Sequence, residues 1–174
     1  MKKFLSFIIS ILFVFLFISC ESKSMPSLLG KWKATITLKS EMASSGEDSS
    51  TKAYLYTKQN IVFSFSEGGI FTKKILQNVD HVEFVDHAQD TQAAKEYFSK
   101  YCDKNLTFDG EFTQKKNAIL FMSETVQDGD GEPVPFYEYF AKDPSIGDAE
   151  YSLFYEMKDG FLFIDGVKYK KSDD

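Results

Sequence analysis

The sequence predicts a mainly β protein, an antiparallel up-and-down β-barrel that carries one amphipathic helix near residues 91–104. Three observations predict it. Apolar and polar residues alternate with period two through most of the chain after residue 30, the mark of half-buried strands. Turn residues separate these runs at short intervals, so strands adjacent in sequence pair as hairpins. One segment departs from this: Ala93, Ala94, Tyr97, Phe98, Tyr101 and Cys102 recur at helical spacing. Many short strands with close turns build a sandwich or a barrel. Sequential hairpins favour the barrel, which leaves no strand edge exposed.

The first element is not part of that domain. Lys2 and Lys3 precede an apolar run from Phe4 to Ile18 that only Ser6 and Ser10 interrupt, and Ser19 stands before Cys20. A charged start, an apolar middle and a small residue before the cut describe a secretion signal. The run is near the lower limit of about 17–25 residues for a spanning helix, and the mixed Glu21-Ser22-Lys23-Ser24 after it is no stop-transfer cluster. Phe17-Ile18-Ser19-Cys20 resembles a bacterial lipobox. The resemblance implies that residues 1–19 are removed, that the Cys20 thiol takes a diacylglycerol and its freed amino group an acyl chain, and that the product is a lipoprotein held on a membrane outside the cytoplasm. Two or more chains give stable anchoring where one does not. Residues 20–27 then form a lipidated tether, 28–171 the folded domain and 172–174 a polar tail.

Within the domain, Trp32, Ala34, Ile36 and Leu38 alternate with Lys31, Lys33, Thr35, Thr37 and Lys39, a strand with one wet face. Residues 40–50 read as a loop. Runs at 54–56 and 61–65, a Glu67-Gly68-Gly69 turn, and runs at 70–76 and 79–85 follow. After the helix, strands are expected at 106–112 and 118–122 around a Lys116-Asn117 turn. A polar loop spans 127–135, and further strands are expected at 136–140, 151–157, 161–164 and 167–170. Asp159-Gly160 and Asp165-Gly166 separate the last three, and Asp-Gly between apolar runs is a strong hairpin signal. The total is nine or ten strands and one helix.

Composition narrows function. The chain has a net charge of −6 and no arginine, so nucleic acid is not an expected partner, since phosphate recognition leans on cationic clusters and Arg forks. With Cys20 lipidated, Cys102 is the lone thiol. It cannot form an intrachain disulfide and reads as a small, half-buried apolar residue. His81 and Glu83 lie two apart on one strand face and would both reach a metal ion, but they read as a solvated face, with His87 two pleats further on. Asp128, Asp130 and Glu132 read as a solvated loop rather than a calcium loop, which needs a spaced ligand set and a distal Glu. No nucleophile lies beside a His and no phosphate-cradling loop occurs, so no catalytic residue, metal or further cofactor is expected.

Leu28-Leu29-Gly30-Lys31-Trp32 looks like the Gly-x-Trp opening of a lipocalin's first strand. The hairpin at 61–71 and the closing unit at 151–171 resemble those of small bacterial lipocalin-like lipoproteins. Lipocalins lay an arginine across that tryptophan, and here the role would fall to Lys168, Lys170 or Lys171. The resemblance implies a barrel that binds a small apolar or amphipathic ligand without catalysis. Trp32, Ile36, Phe63, Phe65, Phe108, Phe112, Phe121, Phe140, Tyr155 and Phe163 are the expected inward residues, as core first and as ligand lining second. An eight-stranded barrel is wide enough to pack solid or to hold one small ligand. In the alternative reading the barrel is solid, and the protein acts through its surface loops on an envelope or host protein.

Overall fold

The computed structural model describes residues 25–43, 52–85 and 90–173. The expected signal, Cys20, His87 and the 44–50 part of the expected loop lie outside the described residues. Among the described residues no helix is long and apolar enough to cross a membrane.

The strands are β1 Gly30–Ala43, β2 Lys52–Ser66, β3 Ile70–Phe84, β4 Lys104–Gln114, β5 Ala118–Asp128, β6 Val134–Pro135, β7 Glu150–Lys158, β8 Phe161–Ile164 and β9 Val167–Ser172, with helices α1 Thr91–Cys102 and α2 Phe136–Phe140. Every pairing is antiparallel. The order β4-β3-β2-β1-β9-β8-β7-β5 closes on itself through β4–β5, giving an eight-stranded up-and-down barrel with β6 as a two-residue strip on β5. The two Asp-Gly turns take the left-handed backbone that a two-residue hairpin needs, with φ of 53° and 78° at Asp159-Gly160 and 46° and 80° at Asp165-Gly166.

The structure differs from the sequence reading at several elements. Residues 40–43 of the expected loop continue β1, and residues 127–128 of the expected polar loop continue β5, because backbone pairing with β2 and β4 carries these residues on as strand. The runs at 54–56 and 61–65 form one continuous strand, β2, and those at 70–76 and 79–85 merge into β3. The polar residues between them do not mark turns. Thr57, Gln59 and Gln77 sit at inward positions of the ladder. Residues 136–140 were expected as a strand and form the short helix α2 instead, with Phe136 buried. Pro135 ends the preceding extended piece, and the aromatic spacing Phe136/Phe140 suits one helical turn as well as it suits a pleat.

The barrel has a closed end and an open end. Tight turns close one end, where Leu28, Trp32, Phe63, Phe65, Phe71, Ile119, Phe121, Leu162 and Tyr169 form a single buried cluster. The aromatic rings there meet edge-on or offset, as Phe71–Phe121 do at 4.9 Å and 76°. Both helices lie at the other end, in the β3–β4 and β5–β7 connections. The far halves of β1, β2 and β3 run beyond the barrel wall, because β1 pairs with β9 only over Lys31–Lys33. Their inner face would be wet without α1. Ala94, Phe98 and Cys102 of α1 cover Leu55, Val79 and Val82. Asp90 caps the helix by accepting from the backbone N–H of Gln92 and of Ala93, both at 3.0 Å. At its other end Asp103 Oδ1 accepts from Val79 N at 2.7 Å, beside the β-bulge of β3. Phe136 and Phe140 of α2 pack with Ile146 and Ala149 over Leu106, Phe108 and Val126, covering the β4–β5 side of the open end.

Candidate functional site

Between the aromatic plug and the two caps the barrel is not filled. A cavity of about 200 Å³, partly open to solvent, lies among β2, β3, β4, β5, β7 and the segment after α2. It is smaller than the roughly 300–1,000 Å³ pockets that enclose drug-sized ligands. Ile75, Leu106, Phe108, Phe136 and Ile146 form its apolar side, and Gln59, Lys73, Gln77, Ser123 and Tyr151 its polar side, with Lys104, Ser145 and the exposed Asp148 completing the lining.

Lys73 is the dominant charge. It alternates with Phe71 and Ile75 on the inner face of β3, so the same pleat that buries Phe71 carries the lysine into the barrel. Its ammonium stands 5.2 Å from the Tyr151 ring, 5.6 Å from that of Phe63 and 5.7 Å from that of Phe108. Such ring faces stabilise a desolvated cation only partly. Among the described residues no carboxylate lies within ion-pair distance of it; the ion pairs run elsewhere, between Lys52 and Glu41, His81 and Asp80, Lys104 and Asp143, and Lys142 and Glu138. Burial alone lowers its pKa to about 8, because removal from water penalises the charged form.

The neighbours of Lys73 are hydrogen-bonding groups. Ser123 Oγ is buried and leans toward the Tyr151 hydroxyl, but makes no hydrogen bond of normal geometry. Burial pushes the Tyr151 phenol well above its ordinary value, so it stays a neutral donor. Gln59 Nε2 donates to Gln77 Oε1, and Gln77 Nε2 donates to the Cys102 carbonyl at 2.6 Å, tying the end of α1 to the cavity floor. At the rim Lys104 Nζ donates to Asp143 Oδ2 at 3.1 Å and to Ser145 Oγ at 2.8 Å. Ser145 and Lys104 together hold the Asp143 carboxyl below its usual range.

The expected inward residues separate into four groups. Trp32, Phe63, Phe65, Phe121 and Tyr155 are buried in the closed-end cluster, with Ile36 and Phe112 partly buried against it. Phe108 alone of the set lines the cavity. Phe140 packs from α2 in the cap rather than from a strand. Phe163 faces outward: its β8 neighbours Leu162 and Ile164 are the buried ones, and it lines an outer groove beside Phe154 and Glu156. Gln59, Lys73, Gln77 and Ser123 were not anticipated. The signal for Lys73 was its parity with Phe71 and Ile75 in an otherwise legible strand.

His81 lies on the outer wall, stacked on Tyr56 at 4.2 Å and bonded to Asp80 Oδ2 at 2.8 Å, while Glu83 accepts from the Tyr56 hydroxyl at 2.8 Å. Among the described residues no three His, Cys, Asp or Glu side chains come together as metal ligands. Asp128 accepts from the Tyr139 hydroxyl at 3.0 Å. In comparisons with known proteins the chain matches no family model, no curated protein and no solved structure.

Proposed function

We propose that this chain is a membrane-anchored lipoprotein whose lipocalin-like barrel binds, without catalysis, a small amphipathic molecule bearing an acidic group. The observation that carries the reading is the largely buried Lys73 ammonium, which faces an unfilled cavity and has no carboxylate at ion-pair distance among the described residues. A buried charge without a counter-ion is costly. An arriving carboxylate supplies that counter-ion, and a charge-assisted bond in a partly dry site is among the stronger polar contacts. Ser123 and Tyr151 offer further donors to the acid, and Ile75, Leu106, Phe108 and Phe136 offer a short apolar wall for its tail. The size of the cavity favours a compact acid over a long acyl chain.

Calorimetric titration of the chain beginning at Glu21 tests this, with butyrate, hexanoate and benzoate against the matching alcohols. An acid is expected to bind at least about tenfold more tightly than its alcohol, to weaken above pH 8 and to lose binding in Lys73→Met. Equal affinity for acid and alcohol, or unchanged binding by Lys73→Met, overturns the reading. Native mass spectrometry of the same chain as purified would identify a retained ligand. The anchor is tested separately: the intact mass of the mature protein carries the acyl groups, and Cys20→Ser does not.

A second reading has its own support. Ile70, Leu120, Met122 and Phe154 are 41–74% exposed on the outer wall, and Leu120, diagonal to Phe154 across the β5–β7 pair, has Met122 two residues along β5 on the same face. This patch suits an envelope or host-protein module acting through its surface. A photo-crosslinker at position 154 that captures one discrete protein in producing cells, where one at Lys95 does not, would favour it.

A further inference from the structure

The charge of this molecule is unevenly placed. The chain as a whole is acidic, at −6, yet β1 and β9, which are neighbours in the barrel, carry Lys31, Lys33, Lys39, Lys168, Lys170 and Lys171 against a single acid, Glu41. That Glu41 is at the far end of β1, 3.9 Å from Lys52. Further round the barrel β5 and β7 carry Glu124, Asp128, Glu150 and Glu156 against Lys158 alone.

Register sharpens the asymmetry into a surface. Lys33 of β1 and Lys170 of β9 are direct cross-strand partners on the outward pleats, and Lys31 and Lys168 occupy outward pleats of the same two strands. The wall that β1 and β9 form therefore holds four exposed lysines, with half-buried Val62 of β2 and Phe161 of β8 flanking the Lys33–Lys170 pair and Asp173 beside it. The Lys168 ammonium stands 3.6 Å over the Phe161 ring. Cations interleaved with an aromatic ring suit a bilayer interface, where ammonium groups meet phosphates and rings sit at headgroup depth.

The chain before the barrel enters at this pole. β1 starts at Gly30, one residue before Lys31, and the preceding segment is held across the closed end by the bond from Gln114 Nε2 to the Pro26 carbonyl at 2.8 Å. Five residue steps separate Cys20 from Met25, at most about 17 Å when fully extended. An anchored barrel is therefore held close to the lipid surface, near the roughly 8 Å range over which charge acts in physiological salt.

We propose that the β1/β9 wall lies against an anionic bilayer, its lysines meeting the phosphates of acidic phospholipids and orienting the open end of the barrel relative to the membrane. The proposal draws on the anchor reading for proximity, and on the lysine cluster itself for affinity.

Co-flotation with vesicles tests it on the unlipidated chain beginning at Glu21, so that failure of the anchor leaves the result unaffected. The vesicles are phosphatidylcholine with or without phosphatidylglycerol. Binding is expected only with phosphatidylglycerol, and it should fall steeply with added salt. The triple variant Lys31→Gln, Lys168→Gln, Lys170→Gln should lose on the order of a hundredfold in affinity. Lys95→Gln, Lys100→Gln, Lys142→Gln, which alters α1 and the turn after α2 and leaves the β1/β9 wall intact, should bind as the parent does. Thermal melts establish that both triples fold. No binding to anionic vesicles, equal binding to both vesicle types, or equal loss in the two triples overturns the proposal.

Discussion

The ammonium of Lys171 stands 5.5 Å from the ring of Trp32, its direct cross-strand partner on β1. Below the same ring Trp32 Nε1 donates to the Leu28 carbonyl at 2.7 Å. Strand β9, the last in sequence, is thus sealed to β1, the first, by a cation over an indole, and the entering chain is pinned beneath. Of the three lysines that the sequence offered for this position, register selects Lys171, because Lys168 and Lys170 take the outward pleats. Gly30 completes the arrangement: it has a φ of 110°, and a Cβ there would meet Lys171 Cε at 3.0 Å.

The two partners are unequal in energy. Trp32→Ala removes a fully buried indole and strands the Leu28 carbonyl, and should cost about 3–5 kcal/mol. Lys171→Met should cost about 0.5–1 kcal/mol, the range of a solvent-facing cation–π contact. Lys171→Arg should be neutral or stabilising, because a guanidinium stacks flat. Chemical denaturation of the three variants checks the order, and a Lys171→Met as damaging as Trp32→Ala would show that the lysine does something else.

Gly110 guards the seam that closes the barrel. It sits at the register shift of the β4–β5 pair, and a Cβ there would fall 2.0 Å from the Met122 carbonyl oxygen. The obstacle is backbone, so the strands must part. Gly110→Ala should cost about 1–3 kcal/mol or more. Hydrogen exchange should quicken in β4 and β5 amides before it does in the β1–β2 ladder.

Lys73 makes stability depend on pH in a stated direction. Its folded pKa of about 8 lies below the ordinary lysine value of 10.5, so between these values the unfolded chain binds the extra proton and stability rises with pH. At about 1.4 kcal/mol per unit the gain is about 3 kcal/mol at most. The Tyr139 and Tyr169 phenols, pushed up by burial to about 12, act in the other sense at higher pH, since they lose stability once unfolded phenols ionise above about 10. The clear window is therefore pH 8–10. The thermal midpoint should climb there in the parent and stay flat in Lys73→Met, which should also be the more stable protein at pH 7.

Ser123 should behave unlike most buried serines. Its hydroxyl makes no hydrogen bond, so Ser123→Ala removes a desolvated group and should be neutral or stabilising by up to about 1 kcal/mol. If the hydroxyl serves a bound acid, the same variant should weaken hexanoate or benzoate binding severalfold while denaturant midpoints hold or rise.

The sequence by itself determined the fold class, the hairpin order, the two Asp-Gly turns and the one long helix, because each is written in local signals: a period of two, a period of 3.6, and residues that tolerate positive φ. It also determined the closed-end core, since Trp32, Phe63, Phe65 and Phe121 are large, apolar and in strand phase. The tertiary structure alone decided the site. Thr57, Gln59 and Gln77 read as interruptions between strands, because a polar residue in a strand looks like a turn until the opposite wall shows that it faces inward. Phe163, expected inside, faces outward and Lys73 faces inward for the same reason: hydrophobicity suggests which residue should be inside, but strand parity and ring closure fix which residue is. Only ring closure set Lys171 over Trp32, and only the meeting of β1 with β9 brought Lys31 and Lys33 beside Lys168 and Lys170 on one wall.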